Sequence, residues 1–518
     1  MPDTLTSYAQ SQPDKPGVID DRPDGTVVTW TYAELEARSN RIANLLLSLG
    51  TGPGSKVLWC GPNSPEVVAV MNATRKIGAV AVPLNYRLTP EEALYVINHS
   101  DAEVAYVDYE HVPMFAALRG QLENVRHIIA VGGPIPDGML TDTDIAAAPA
   151  DAPDFGDAVG AGGTMIYTSG TTGKPKGAVR SGPPNPEVLG ALLNLLGYRP
   201  DDIYLTSGPL YHSGPSAFMS AGLLYGQTII VQRRFDAEDW LRLVDKYKVS
   251  STFSAPALIR MICALPKQVK DRYDRSSMRV MVANAAPWSY ALKQQYVADF
   301  PPGSLFEVYG STELGVDTVL LPGDQLRKPG SCGQPAPGIE IMLVDADGNE
   351  VTGTGPDHPG EVFVRSRAAF DTYYKNDAGY ESNRRGDFHT VGDIAYRDDE
   401  GYLYICDRKT DLIISGGMNI YPAEIEAALE AHPGIYDVAV FGIPSDQWGE
   451  VVHATVVCSP GSSLTAEEIA VFAREHLASY KVPRSVDFTD ELPRTGSGKL
   501  LKRQLRAPYW AGRTAQVG

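Results

Sequence analysis

One segment of this chain combines glycine, hydroxyl and lysine side chains in a single run: Thr168-Ser169-Gly170-Thr171-Thr172-Gly173-Lys174-Pro175-Lys176-Gly177. It directly follows the apolar run Met165-Ile166-Tyr167, which predicts a short strand. Glycine lets a backbone approach a ligand closely. Hydroxyls and consecutive N–H groups bind phosphate oxygens, and lysine adds positive charge. The segment therefore predicts a loop that holds a polyphosphate.

This loop differs from the phosphate loop of kinases and GTPases. That loop places four residues between a glycine and a Gly-Lys-Ser/Thr triplet, whereas only two residues separate Gly170 from Gly173. Pro175 follows Lys174, where the kinase loop would supply a hydroxyl for a metal. An ordinary surface loop is the alternative, but such loops rarely carry two lysines at this spacing.

Six further segments with distinctive residues follow along the chain. They are Pro209-Leu210-Tyr211-His212, Tyr309-Gly310-Ser311-Thr312-Glu313, Gly392-Asp393, Asp407-Arg408-Lys409, Ser415-Gly416-Gly417 and Pro493-Arg494-Thr495-Gly496-Ser497-Gly498-Lys499. With the loop, they resemble in order the motifs of the adenylate-forming superfamily: acyl-CoA synthetases, coumarate-CoA ligases, luciferases and adenylation domains. The resemblance runs from about residue 5 to about residue 505 and is most like bacterial fatty-acid or acyl-CoA ligases.

The composition is that of a soluble globular protein, with 43% hydrophobic and 21% charged residues. A chain of 518 residues is too long for one ordinary core, so we expect two or more domains. The formal net charge of −18 opposes broad attraction to nucleic acid or anionic lipid. The five cysteines form no Cys-x-x-Cys pair, which predicts reduced thiols.

The sequence shows no segment that predicts secretion or membrane insertion. Residues 1–4 lack a basic and then apolar signal segment, and no apolar run reaches the length of a membrane span. We therefore expect a cytoplasmic protein with no nucleic-acid partner and no integral membrane segment. Peripheral contact with a membrane and homodimerisation stay open.

Strand and helix patterns alternate in the N-terminal part of the chain. Thr31 and Glu34 form a capping box before a helix that Gly50 ends, and a strand follows at 56–60. The alternation continues, which predicts βαβ units and a largely parallel sheet. Residues 338–405 instead show short strands separated by Gly, Asp and Pro turns, which predicts a smaller β-rich subdomain.

A new unit begins after Lys409, with a strand at 412–414 and a helix at 422–430. We predict an α/β fold with a large N-terminal domain, residues 1–408, made of layered βαβ-type sheets and the β-rich subdomain. A small mobile α+β C-terminal domain, residues 409–518, would follow it.

The resemblance implies a site for ATP and Mg²⁺. Glu313 offers a hard oxygen ligand for Mg²⁺, shared with Thr168. Tyr309 would stack on adenine, and Asp393 would accept the ribose hydroxyls. The residues implied in ATP binding are Thr168, Ser169, Gly170, Thr171, Thr172, Gly173, Lys174, Lys176, Asn284, Ala285, Ala286, Tyr309, Gly310, Ser311, Thr312, Asp393, Arg408 and Lys499.

Lys499 is implied as the catalytic lysine, together with Glu313 and Thr168. It lies in a loop rich in Pro, Gly and Ser, so it reaches the site only when the C-terminal domain docks. Its point charge would contact both the carboxylate and the α-phosphate as charge builds between them.

The resemblance also implies sites for the acyl group and for coenzyme A. The acyl residues would be His212, Gly214, Ser254, Ala283 and Gly315. Several of them are small, and none is Asp, Glu, Lys or Arg. An apolar acid is therefore expected. Gly416 and Gly417 would lie beside pantetheine, and Lys481 would contact a CoA phosphate. The hinge residue stays open, because Thr410 stands where relatives carry Asp or Lys.

The favoured function is an ATP-dependent acyl-CoA ligase that forms acyl-AMP and pyrophosphate, then the CoA thioester and AMP. The alternative is an acyl-AMP ligase that loads a carrier protein; such relatives often carry an insertion that is not obvious here. A non-catalytic nucleotide-binding protein would lack Glu313 or Lys499, and both are present. Luciferase-type oxidation shares these motifs and would show as light output with a luciferin.

Overall fold

The computed structural model describes residues 3–154, 162–168, 175–182, 185–284, 288–416, 418–494 and 500–511. Its strands are β1 (Pro16–Asp21), β2 (Val27–Thr31), β3 (Lys56–Cys60), β4 (Val80–Leu84), β5 (Val104–Asp108), β6 (His127–Val131), β7 (Gly163–Thr168), β8 (Lys176–Arg180), β9 (Ile203–Thr206), β10 (Thr228–Val231), β11 (Ser251–Ser254), β12 (Val280–Ala283), β13 (Leu305–Ser311), β14 (Gly315–Leu320), β15 (Gln334–Pro335), β16 (Ile339–Val344), β17 (Gly360–Ser366), β18 (Thr372–Tyr373), β19 (Arg384–Arg385), β20 (Phe388–His389), β21 (Asp393–Arg397), β22 (Leu403–Arg408), β23 (Ile413–Ser415), β24 (Met418–Ile420), β25 (Ile435–Ser445), β26 (Gly449–Cys458) and β27 (Ser485–Phe488).

Helices alternate with these strands through most of the chain. They are α1 (Thr4–Ser11), α2 (Tyr32–Ser48), α3 (Pro65–Lys76), α4 (Pro90–His99), α5 (Val112–Leu118), α6 (Asp142–Ala147), α7 (Pro186–Leu195), α8 (Ser213–Leu224), α9 (Ala237–Tyr247), α10 (Pro256–Cys263), α11 (Lys267–Lys270), α12 (Tyr290–Asp299), α13 (Asp377–Glu381), α14 (Pro422–Glu430), α15 (Ala466–His476) and α16 (Lys502–Arg506).

Two large sheets with parallel centres form the N-terminal part. One has the strand order β15-β14-β13-β12-β11-β9-β10-β1-β2 and is parallel from β13 to β1. The other has the order β18-β8-β7-β4-β3-β5-β6 and is parallel from β7 to β6. Helices cover their faces, as the predicted βαβ units require. The predicted capping box is present at the start of α2, where Thr31 and Glu34 bond each other's backbone N–H groups.

The main hydrophobic core lies between the two large sheets. It joins Leu35 and Ile42 of α2 with Trp59 of β3, and it reaches Tyr204 of β9 and Val308 of β13 in the other sheet. These side chains are 3% exposed or less. Because this shared core locks the two sheets together, strand ends from both can form one rigid wall.

The β-rich region and the C-terminal part each have a sheet of their own. Strands β19, β20, β17, β21 and β22 pair in that order, with β16 added on β17. The C-terminal sheet has the order β24-β23-β26-β25, with β27 on β26, and α14 and α15 pack on it. The β-rich region and the small α+β unit that the sequence predicted are thus both present.

Candidate active site

A cavity of 3440 Å³ opens where the carboxyl ends of strands from both large sheets meet the C-terminal unit. Sites for a single small molecule usually enclose 300–1,000 Å³, so this cavity has room for several substrates. The predicted residues on its wall are Thr168, Lys176, His212, Gly214, Asn284, Tyr309, Gly310, Ser311, Thr312, Glu313, Gly315, Asp393, Arg408 and Lys481.

Glu313 lies at the tip of the β13–β14 hairpin and is buried, with 8% of the residue exposed. Its Oε1 accepts hydrogen bonds from the Thr168 hydroxyl, at 3.2 Å, and from the Tyr373 hydroxyl, at 3.0 Å. Thr168 ends β7, so the contact joins the two large sheets. A carboxylate held by two hydroxyls next to the predicted phosphate loop suits an oxygen ligand of Mg²⁺.

The turn that presents Glu313 requires glycine on both sides. A Cβ at Gly310 would lie 1.9 Å from the carbonyl oxygen of Gly315, so no other residue fits there. Gly315 itself has a φ of +89°, which side chains rarely adopt. The two glycines therefore allow a tight hairpin that points the carboxylate into the cavity.

Tyr309 and Arg408 both contact the carboxylate of Asp393. The Tyr309 hydroxyl donates to Asp393 Oδ2 at 2.7 Å, and Arg408 Nε lies 3.3 Å from Oδ1. Burial and the nearby Asp393 charge raise the pKa of Tyr309 well above its usual value, so the phenol stays a donor. Asp393 pairs with Arg408 across strands β21 and β22. The three predicted nucleotide contacts, Tyr309, Asp393 and Arg408, therefore touch one another in a continuous chain of contacts.

Asn284, predicted as part of the nucleotide site, directly follows β12 and lines the same cavity as Tyr309. Its side-chain amide donates to the carbonyl of Val308 at 2.6 Å. Behind Tyr309, Asp317 on β14 is fully buried, and burial with the nearby Asp393 charge raises the pKa of Asp317 well above its usual value. Asp317 is therefore favoured in its neutral form.

His212 directly precedes α8, and its ring lies 4.4 Å from that of Tyr211, which in turn packs edge-on against Tyr86. Burial, with a smaller effect of Arg87, lowers the pKa of His212 to about 4. Its Nε2 is buried and makes no hydrogen bond to any residue the structure describes. A neutral imidazole at this place is suited to orienting a bound group.

The cavity wall around Gly214, a predicted acyl contact, is apolar and aromatic. Phe253 packs directly against Gly214, where an added Cβ would lie 2.4 Å from the ring, and it stacks on Phe218 at 5.2 Å. Two predicted acyl residues, Ser254 and Ala283, are fully buried and contribute nothing to the cavity wall. They end central strands of a sheet covered on both faces, so neither side chain lies on the cavity wall.

The C-terminal unit closes the cavity through α14, α16 and nearby loops. Arg260 of α10 donates to the carbonyl of Tyr436 at 2.9 Å, which joins the two units. Gly416 has a φ of +58°, and its N–H donates to the Trp448 carbonyl at 2.8 Å. Lys481 bonds both carboxylate oxygens of Glu424, at 2.5 and 2.6 Å. Its predicted contact with a CoA phosphate would require this ion pair to open.

Several predicted site residues lie outside the described residues. They are Ser169, Gly170, Thr171, Thr172, Gly173, Lys174, Ala285, Ala286, Gly417 and Lys499. Within the described ranges, no group of three or more His, Cys, Asp or Glu residues is placed to hold a metal ion. Mg²⁺ does not need such a group, because one or two carboxylates and substrate phosphates usually hold it.

Sequence analysis missed Tyr373, which donates to Glu313. It lies in the run Phe370-Asp371-Thr372-Tyr373, which matches no quoted motif. Tyr373 reaches the site because β18 pairs with β8, the strand that follows the predicted phosphate loop. Only a knowledge of that strand pairing could have identified it.

A sequence profile described as AMP-binding enzyme matches residues 5–374, and one for the AMP-binding enzyme C-terminal domain matches residues 424–499. The chain belongs to the AMP-binding enzyme family. It is 36% identical to a feruloyl-CoA synthase of an Amycolatopsis species, over 94% of this chain and 95% of the relative. It is 32% identical to the fatty acid–[acyl-carrier-protein] ligase ScoC of Streptomyces coeruleorubidus, over 99% and 97%.

This AMP-binding enzyme also has the fold of solved members. It superposes on the anthranilate CoA ligase AuaEII in complex with anthranoyl-AMP with a TM-score of 0.89 and 26% identity, covering 98% of this chain and 97% of that one. The predicted family and the mixed α/β fold with a smaller C-terminal domain are therefore confirmed. In the part of the chain that the structure describes, every helix is too short or too polar to span a bilayer.

Proposed function

We propose that this AMP-binding enzyme is an ATP-dependent acyl-CoA ligase for an apolar carboxylic acid. One observation carries the proposal: a single cavity wall holds both the Thr168–Glu313 contact and the Tyr309–Asp393–Arg408 chain. The first is suited to a metal–phosphate group, and the second to a nucleoside. The feruloyl-CoA synthase activity named for one relative agrees with this assignment.

In the first half-reaction, a carboxylate oxygen of the acid would attack the α-phosphorus of ATP, and pyrophosphate would leave. Asp393 would hold the ribose hydroxyls, and Tyr309 would support the adenine. Glu313 and Thr168 would hold Mg²⁺, which neutralises phosphate charge when bound. Lys499, delivered by the C-terminal domain, would contact the acid and the α-phosphate. Together these contacts would orient the carboxylate of the acid and the triphosphate of ATP, two anions that otherwise repel each other.

In the second half-reaction, the CoA sulfur would attack the acyl carbonyl carbon, and AMP would leave. We propose that the small domain, residues 409–518, then moves so that the hairpin containing Gly416 borders the thiol. Gly416 and Trp448 make this hairpin compact, because a Cβ at Gly416 would lie 2.8 Å from the Trp448 ring. A compact hairpin leaves space for the pantetheine arm beside its backbone.

The character of the acyl wall supports an apolar acid. Phe218, Phe253 and Gly214 form a continuous apolar surface, and the neutral His212 lies beside it. Burial of apolar surface contributes about 25 cal/mol per Å², so such a wall favours a hydrocarbon or aromatic group over a charged one. Lipid metabolism is the corresponding role.

A carrier protein is the second candidate for the acceptor. The observation that favours it is the 32% identity to a fatty acid–[acyl-carrier-protein] ligase over nearly the whole of both chains. Both acceptors present the same phosphopantetheine thiol, so the chemistry of the site does not separate them.

A cytoplasmic location agrees with the free thiols of all five cysteines.

Acid-dependent exchange of labelled pyrophosphate into ATP tests the first half-reaction. The acid panel should span short, long, aromatic and sterol-derived acids, with Mg²⁺ present. AMP release is then compared with CoA and with a holo carrier protein as acceptor. No exchange with any acid would refute the proposal, and AMP release only with the carrier protein would select the second candidate.

A further inference from the structure

Arg180, the last residue of β8, places a half-buried guanidinium on the cavity wall close to the Glu313 turn. Its Nη2 donates to the carbonyl of Thr312 at 3.2 Å, and its Nη1 donates to the carbonyl of Ala368. No carboxylate of the described residues forms an ion pair with it. Asp371 and Glu313 act on its charge only at longer range.

The Arg180 guanidinium is partly buried and bonded to neutral carbonyls, an arrangement that costs free energy. Burying a charge without a paired counterion is unfavourable, and burial lowers the pKa of Arg180 here. A methionine or leucine would fill the same space without that cost. The useful property of Arg180 is therefore its rigid fork of donors, which can bond two backbone segments at once.

The two segments that Arg180 joins are the two that hold Glu313. Thr312 directly precedes Glu313. Ala368 lies two residues before Phe370, whose N–H donates to the Glu313 carbonyl at 2.7 Å. The same segment then supplies the Tyr373 hydroxyl that bonds the Glu313 carboxylate. Arg180 thus closes a ring of contacts around this one side chain.

The ring also connects Glu313 to the phosphate loop. Strand β8 begins at Lys176, which pairs with Thr168 across the loop. Near its other end, β8 pairs with β18, with Ala178 opposite Tyr373. A shift of β8 would therefore move the loop base and the Glu313 carboxylate together.

We infer that Arg180 is a positioning residue that sets the Glu313 carboxylate at the distance from Thr168 needed to share a Mg²⁺ ion. The inference rests on the proposed function, since it assigns a role within that site. Arg180 acts through Glu313 and the backbone around it. It belongs to none of the motifs that carry the family resemblance.

The test is the Mg²⁺ dependence of pyrophosphate exchange by Arg180→Met. The Mg²⁺ concentration for half-maximal exchange should rise about tenfold, the equivalent of one charge-assisted hydrogen bond. At saturating Mg²⁺, kcat should return to within about threefold of the wild-type value, because the reacting groups are intact. Arg365→Met is the matched control: Arg365 is exposed on β17 and pairs with Glu340, so its Mg²⁺ dependence should not change.

Two further measurements separate positioning from loss of the fold. Arg180→Lys keeps the charge but replaces the rigid two-nitrogen fork with a single flexible nitrogen, so it should show a shift in the same direction with a near-normal melting temperature. Millimolar guanidinium should restore the Mg²⁺ dependence of Arg180→Ala. The inference is overturned if the Mg²⁺ dependence is unchanged in both Arg180→Met and Arg180→Lys. It is also overturned if either variant loses kcat and saturating Mg²⁺ does not restore it. Wild-type enzyme without exchange would instead refute the proposed function.

Discussion

Asp393→Asn should weaken ATP binding and leave the acid side of the reaction almost intact. Asp393 is 7% exposed, and its carboxylate is bonded by Tyr309 on one oxygen and approached by Arg408 on the other. In the proposed complex it also accepts both ribose hydroxyls. The amide keeps the shape of the carboxylate but loses its charge, so the change isolates the electrostatic contribution.

The expected magnitude follows from the bonds that change. A hydrogen bond to a charged group contributes about 1.5–3 kcal/mol, against about 0.5–1.5 kcal/mol for a neutral pair. Two ribose hydroxyls therefore lose about 2–3 kcal/mol in total. At about 1.4 kcal/mol for each factor of ten, KM for ATP should rise roughly 30- to 150-fold.

The assay is acid-dependent pyrophosphate exchange at varied ATP, repeated with 3′-deoxy-ATP. Removing the 3′-hydroxyl should raise KM strongly for the wild type and much less for Asp393→Asn, because the variant has already lost most of that bond. Asp399→Asn is the control, since Asp399 is an exposed turn residue bonded to Thr354. A change in KM below threefold, or equal penalties for 3′-deoxy-ATP in both proteins, would refute the ribose assignment.

Three other perturbations give distinct outcomes. Lys499→Ala should abolish pyrophosphate exchange yet largely spare thioester formation from supplied acyl-AMP; equal loss of both half-reactions would contradict a role confined to adenylation. Gly214→Ala should cost about 1–3 kcal/mol in the free energy of unfolding by overpacking and should narrow the range of accepted acids, because its Cβ would lie 2.4 Å from the Phe253 ring. Gly190→Ala, on α7 with nothing within 4 Å of the added Cβ, is the matched control, and equal denaturant midpoints for the two variants would oppose the packing argument. His212 has a folded-state pKa of about 4 against 6.5 in the unfolded chain, so stability should be lost as pH falls from 6.5 towards 4, by about 3 kcal/mol. His212→Asn should show a flatter dependence of its denaturant midpoint on pH over that range, and an identical slope would contradict the burial of a neutral imidazole.

Much of the site could be predicted because its key residues lie in short segments with strict local requirements. The hairpin that carries Glu313 requires glycine at positions 310 and 315. That requirement can be recognised from the sequence alone. Helix α2 likewise carries its own start signal in Thr31 and Glu34. Such features depend on backbone geometry over a few residues, so sequence is enough to recognise them.

The contacts between distant segments could not be predicted in this way. Tyr309 and Asp393 are 84 residues apart, and Tyr373 and Glu313 are 60 apart. Their meeting depends on strand order and register, which follow from how whole sheets pack. For the same reason, sequence alone did not reveal that Ser254, a predicted acyl contact, is fully buried at the end of a central strand.

The sequence by itself determined which chemical groups are available to the proposed nucleotide and metal site, and which parts of the chain form strands, helices and turns. Tertiary structure alone decided that β18 lies against β8, and with it that Tyr373 and Arg180 hold Glu313. The physical reason is range: propensities and turn geometry act within a few residues, whereas a shared hydrophobic core aligns strands that are far apart in the chain.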